Sequence, residues 1–80
     1  MSADMQEAVQ LVVLRQVAAS GAMVPADVLR ELPRADIRDI KRAVDILMSD
    51  GTLEVPDPRV SRWGTLRSAE VTAKGQARLG

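Results

Sequence analysis

Between Asp36 and Gly51 the chain spells out one helix and its end. At about 100° per residue, Ile37, Ile40, Val44, Leu47 and Met48 fall within roughly one third of the helical circumference, which predicts a buried face. Asp36 is a natural N-cap, and Asp39 stands three residues on, where a capping box places its acid. The helix is expected to reach about Asp50, with Gly51 as the left-handed residue that commonly closes one. Beyond Gly51 the pattern is no longer helical. Thr52-Leu53-Glu54-Val55 alternates as a strand, and Pro56-Asp57-Pro58 opens a loop because proline breaks a sheet ladder. Strand character returns near Thr65 and runs through Leu66, Ala69 and Val71. Thr72 then caps a final short helix ending near Leu79.

The first half predicts two more helices. Asp4 to Ala19 has no proline or glycine and carries acids in its first turn, where the helix dipole favours them; Ser20-Gly21 ends it. Its apolar residues do not keep to one stripe. Met5, Val9, Val12 and Val13 share one side, while Leu11, Leu14 and Ala18 lie well round from them. A helix resting on a single core needs one apolar stripe of about 100°. The surplus, Leu11, Leu14, Val17 and Ala18, fits either a two-fold interface or a core that wraps the helix from several sides. Pro25 suits the first position of a second, shorter helix, Pro25 to Leu32, which Pro33 stops. Val28, Leu29 and Leu32 would form its buried face. Pro33-Arg34-Ala35 is a short link to the third helix.

The length of 80 residues allows one small domain, of a size at which a single core gives only marginal stability. Cysteine and histidine are both absent, which removes disulfides and the usual zinc ligands. Oligomerisation is the remaining source of support, so a homodimer is expected. Hydrophobic residues make up 46% of the chain, yet Trp63 is the single aromatic, so the core is aliphatic. No apolar run approaches the roughly 18 residues of a membrane span. The acidic start, Met1-Ser2-Ala3-Asp4, does not open a signal peptide. These features lead to a cytoplasmic expectation. Catalysis is disfavoured: there is no His, Cys or Tyr, no phosphate-binding glycine loop, and the third-helix aspartates turn to different sides. Neither a cofactor nor a metal is expected.

Net charge is zero, but it is unevenly spread. Residues 1–33 hold two basic residues against four acidic ones, and residues 51–80 hold five against three. Opposite the apolar face of the third helix stand Arg38, Lys41, Arg42, Asp45 and Ser49, with Arg34 just before it. Such a set is either an ordinary solvated face or, in a helix-turn-helix, the face that meets base edges in the major groove. A second set, Arg59, Arg62 and Arg67, flanks Trp63-Gly64 in a loop whose sole acid is Asp57. Arginines there suit phosphates or a minor groove. Trp63 either covers the end of the core or stacks on a base.

Three helices, a two-stranded hairpin and a terminal helix make the layout of a winged helix-turn-helix, mainly α with a small β-hairpin. Ile46-Leu47-Met48-Ser49-Asp50-Gly51-Thr52-Leu53-Glu54, then Val71-Thr72-Ala73-Lys74-Gly75, resembles the end of the winged-helix domain in MarR-like and PadR-like transcriptional regulators. Locally, Thr72 caps the last helix and Gly75 permits close packing on the hairpin. The chain differs from those families in lacking long dimerisation helices and in its short, proline-bracketed loop. The resemblance covers residues 5 to 79 and implies sequence-specific binding of double-stranded DNA by a small regulator, a repressor. Arg38, Lys41 and Arg42 would lie in the major groove, with Arg34 and Asp45 as further DNA-binding candidates beside them and Arg59, Arg62 and Arg67 on the backbone or minor groove. The alternative is a protein-interaction module or adaptor on the same fold, with its partner on the first helix.

Overall fold

The computed structural model describes residues 3–56 and 65–80. Among the described residues, four helices and one small antiparallel sheet follow in the order α1 (Ala3–Ser20), α2 (Pro25–Glu31), α3 (Ile37–Ser49), β1 (Leu53–Glu54), β2 (Glu70–Val71) and α4 (Ala73–Leu79). The chain is therefore mainly helical. Each helix boundary lies within a residue or two of the punctuation in the sequence, because the caps act locally. Asp36 Oδ1 accepts from the Asp39 amide at 3.0 Å, and Asp39 Oδ2 accepts from the Asp36 amide at 2.9 Å, closing a capping box. Gly21 and Gly51, with φ of 73° and 80°, turn the chain out of α1 and α3 in the left-handed region that glycine enters without steric cost.

α1 is the central helix. It packs against α2, α3, α4 and β2, and its buried residues Val9, Val12, Val13, Leu14 and Val17 spread over more than half of its circumference at about 100° per residue. This corrects the assignment of Leu14 and Val17 to a two-fold interface and favours, for those two, the alternative of a core that wraps the helix. Leu14 is fully buried and Val17 is 3% exposed, both inside the core, so neither is available to a second chain. Of the four residues assigned to that patch, Leu11 is half-buried and Ala18 alone is exposed. The surplus apolar surface exists because elements from several sides cover the helix.

The core closes between α1 and α3 through Ile40, Ala43, Val44 and Leu47, with Val28 from α2 and Leu53, Leu66 and Ala69 from the sheet region. Burying a Leu or Ile in this way contributes about 1.5–3 kcal/mol relative to leaving it in water. Ile37 is a second correction. Its spacing puts it on the apolar face of α3, but at the first helical position it lies on the rim of that face and is 40% exposed.

The sheet pairs Leu53 with Val71 and Glu54 with Glu70. The returning chain is not a strand from Thr65 onward, as its composition suggested. Leu66 instead forms an isolated antiparallel bridge with Met23, exchanging both backbone hydrogen bonds at 2.9 and 3.0 Å. The Ala69 amide then donates to the Gly21 carbonyl at 2.8 Å. The segment linking α1 to α2 is thus fastened to the same returning chain that pairs with β1.

Candidate nucleic-acid interface

Side chains on α3 divide cleanly. Ile40, Ala43, Val44 and Leu47 are buried, while Arg38, Lys41, Arg42, Asp45 and Ser49 are exposed on the opposite arc, and Arg34 is exposed in the turn before the helix. Arg38 precedes Lys41 and Arg42 by three and four residues, and Asp45 follows them at the same spacings, so all are surface neighbours. Nevertheless Asp45, Arg34, Arg38, Lys41 and Arg42 make no ion pair with another described residue.

The cations also stand at an unfavourable place for helix stability. A helix gains from positive charge at its C-terminus and loses from it at its N-terminus. Here Arg34 and Arg38 are at the N-terminal end, and the last turn of α3 holds no basic residue. That last turn is served from elsewhere. Lys74, on α4, donates from Nζ to the Asp50 carbonyl at 2.7 Å. Arg78 sets Nη1 3.9 Å from Asp50 Oδ2, and its Nη2 donates to Gln10 Oε1 of α1 at 3.0 Å. The C-terminal third therefore carries less free positive charge than its sequence count suggests, since Lys74 and Arg78 are engaged at the end of α3. Sequence reasoning did not find this role: Gln10 and Arg78 are 68 residues apart, and no periodicity links them.

The same corner fixes the orientation of α3. The Thr52 hydroxyl lies 2.7 Å from Asp50 Oδ1 and 3.1 Å from the Leu47 carbonyl; with a single proton it donates to the nearer, charged acceptor. The Thr52 amide also reaches Asp50 Oδ1, at 3.1 Å. These bonds, the side-chain one foremost, hold the Asp50 carboxyl below its ordinary value of 3.8, with Lys74 and Arg78 adding to the effect and partial burial opposing it. Across the corner, the Thr72 hydroxyl donates to the Gly51 carbonyl at 2.6 Å and accepts from the Gly75 amide at 3.2 Å. One threonine thus caps α4 and ties it to the turn after α3. This explains both motifs, Asp50-Gly51-Thr52 and Thr72-Ala73-Lys74-Gly75, as the two halves of a clasp.

Arg67 is exposed on the returning chain, beside an open depression that Ser20, Gly21, Ser68 and Glu70 also line. It stands near the end of α1 rather than on α3. Arg59, Arg62 and Trp63 lie outside the described residues. No group of His, Cys, Asp or Glu among the described residues is arranged to hold a metal ion, and no described helix is long and apolar enough to cross a membrane. Comparison with protein-family models, curated proteins and solved structures found no match to this chain.

Proposed function

We propose that the chain is a winged-helix protein that binds double-stranded DNA in a sequence-specific way and acts as a small transcriptional repressor. In this reading α2 and α3 form the helix-turn-helix, the chain between β1 and β2 is the wing, and α3 enters the major groove. The observation that carries it is the clustering of unpaired cations on and just before α3; Arg15 and Arg67, also exposed, stand apart from that cluster. Lys74, Arg78 and Arg30 have partners within the fold. Arg38, Lys41 and Arg42 instead are exposed on one side of α3, with Arg34 exposed in the turn before it, all unpaired with any described residue. Clustered like charges cost an isolated helix a few tenths of a kcal/mol per pair, and phosphates offset that cost. Arg38, Lys41 and Arg42 are positioned for guanine edges or phosphates, and Arg34 for the backbone at the turn. Under this reading the protein acts in the cytoplasm.

The test is selection of duplexes from a randomised library by the purified chain at two salt concentrations. Enrichment of a defined site, with affinity falling steeply as salt rises, supports the reading. Absence of any salt-sensitive binding at low ionic strength removes it. A second reading, a protein-docking module, is favoured by one feature, the exposed acid Asp45 within the basic face of a chain with zero net charge. Under it the face should bind a mixed-charge protein surface and no duplex.

A further inference from the structure

We infer that Ile37 reads a thymine through its C5-methyl group, an inference that rests on the DNA-binding reading above. Among the described residues only two large hydrophobic side chains are exposed, Val24 at 42% and Ile37 at 40%. A single exposed apolar residue needs no explanation by itself, so the surroundings of Ile37 decide the matter. It is the first residue of α3, followed by Arg38, preceded three residues earlier by Arg34, and neighboured one turn on by Lys41. All three cations are exposed and unpaired among the described residues. The capping box of Asp36 and Asp39 brackets it and fixes the backbone from which it projects.

That position belongs to the ligand-facing end. In a helix-turn-helix the N-terminal residues of the second helix meet the base edges, and cations on either side would seat the phosphates around them. A branched alkyl group makes no hydrogen bond. It can add to binding only by taking apolar surface out of water. The major groove offers one prominent apolar feature, the methyl group of thymine, and cytosine lacks it. The chemistry of Ile37 thus selects thymine at one position, beside guanines or phosphates held by Arg38 and Lys41. The β-branched side chain loses rotamer freedom in a helix, and this one is only partly repaid by burial in the fold.

The experiment uses the site recovered from the randomised duplex library, resynthesised with each thymine replaced in turn by uracil. Uracil keeps the Watson–Crick pairing and removes only the methyl. Wild type, Ile37→Ala and Ile37→Val are compared at one salt concentration, with circular dichroism and urea midpoints as checks on folding. The expected result is one thymine per bound chain at which uracil weakens wild-type binding about fourfold, the worth of one methyl removed from water. Ile37→Ala should bind the two duplexes equally at that position, and Ile37→Val should retain most of the preference. Two results overturn the inference while leaving DNA binding intact: a wild type indifferent to uracil everywhere, or an Ile37→Ala variant with unchanged uracil sensitivity. If the wild type selects no duplex and shows no salt-sensitive binding, the DNA reading itself fails and the inference goes with it.

Discussion

At position 75 a side chain as small as alanine's would place its Cβ 2.6 Å from Val71 Cγ1 and closer still to the carbonyl oxygen of Thr52. Alanine is favoured over glycine inside a helix by about 1 kcal/mol, so an unconstrained Gly75→Ala would stabilise α4. Here the backbone of Thr52 cannot yield, and the substitution should instead destabilise the fold by about 1–3 kcal/mol, read as a lower urea midpoint. The close packing at Gly75 was expected from the Thr-x-x-Gly pattern, while the atom that most requires it, the Thr52 carbonyl oxygen, is brought there by the pairing of β1 with β2. Asp50 illustrates what is less legible. Its carboxyl titrates below 3.8 in the folded chain, chiefly through the Thr52 hydroxyl, so on acidification the unfolded chain binds the proton first. The stabilisation is therefore complete above the unfolded value and is lost as pH falls through the folded one. The stability gap between wild type and Asp50→Asn should be constant from pH 7 to about 5 and narrow below about 4, measured by urea titration across that range.

Among the elements, α1 departs furthest from its simplest reading. A helix touched by α2, α3, α4 and β2 has no single stripe to show, and its apolar positions look dispersed in the sequence. Leu14→Ala should cost about 2–5 kcal/mol, with a thermal midpoint independent of protein concentration, as a core residue requires. Leu11, half-buried at the edge of the core, should cost visibly less. A midpoint that rises with concentration in the wild type and loses that dependence in Leu14→Ala would return Leu14 to an interface. α3 and α4 act as a unit through their clasp. Thr72→Ala removes the α4 cap and the bond to the Gly51 carbonyl together, and should cost about 1–2 kcal/mol, seen in the same denaturation assay.

For the whole molecule, the arrangement separates two kinds of positive charge. Lys74 and Arg78 secure the C-terminal end of α3, while Arg34, Arg38, Lys41 and Arg42 are exposed and make no ion pair with another described residue. Under the DNA reading, Arg42→Ala should cost about 1–3 kcal/mol if it meets a base edge and relax the site at one position, or lower the salt slope by about one if it meets a phosphate. Either way stability should stay level or rise by a few tenths of a kcal/mol, because a like-charge neighbour of Arg38 is gone. Asp45→Asn should tighten binding to all duplexes at low salt, and a loss of discrimination at a cytosine would show that Asp45 accepts from its amino group. Filter-binding titrations at two salt concentrations measure both variants.

The element boundaries were set by the sequence alone: Pro25 opening α2, the Asp36–Asp39 box opening α3, Gly51 closing it and Thr72 opening α4. Each rests on groups within about four residues, whose geometry the local backbone dictates. The basic outer face of α3 was legible for the same reason, since helical spacing alone decides which residues stand opposite its core. Tertiary structure decided the rest. It buried Leu14 and Val17, left Ile37 facing water, joined Met23 to Leu66, and drew Lys74 and Arg78 to the end of α3. Those outcomes depend on partners distant along the chain, whose positions are decided by how the elements pack rather than by the period of any one of them.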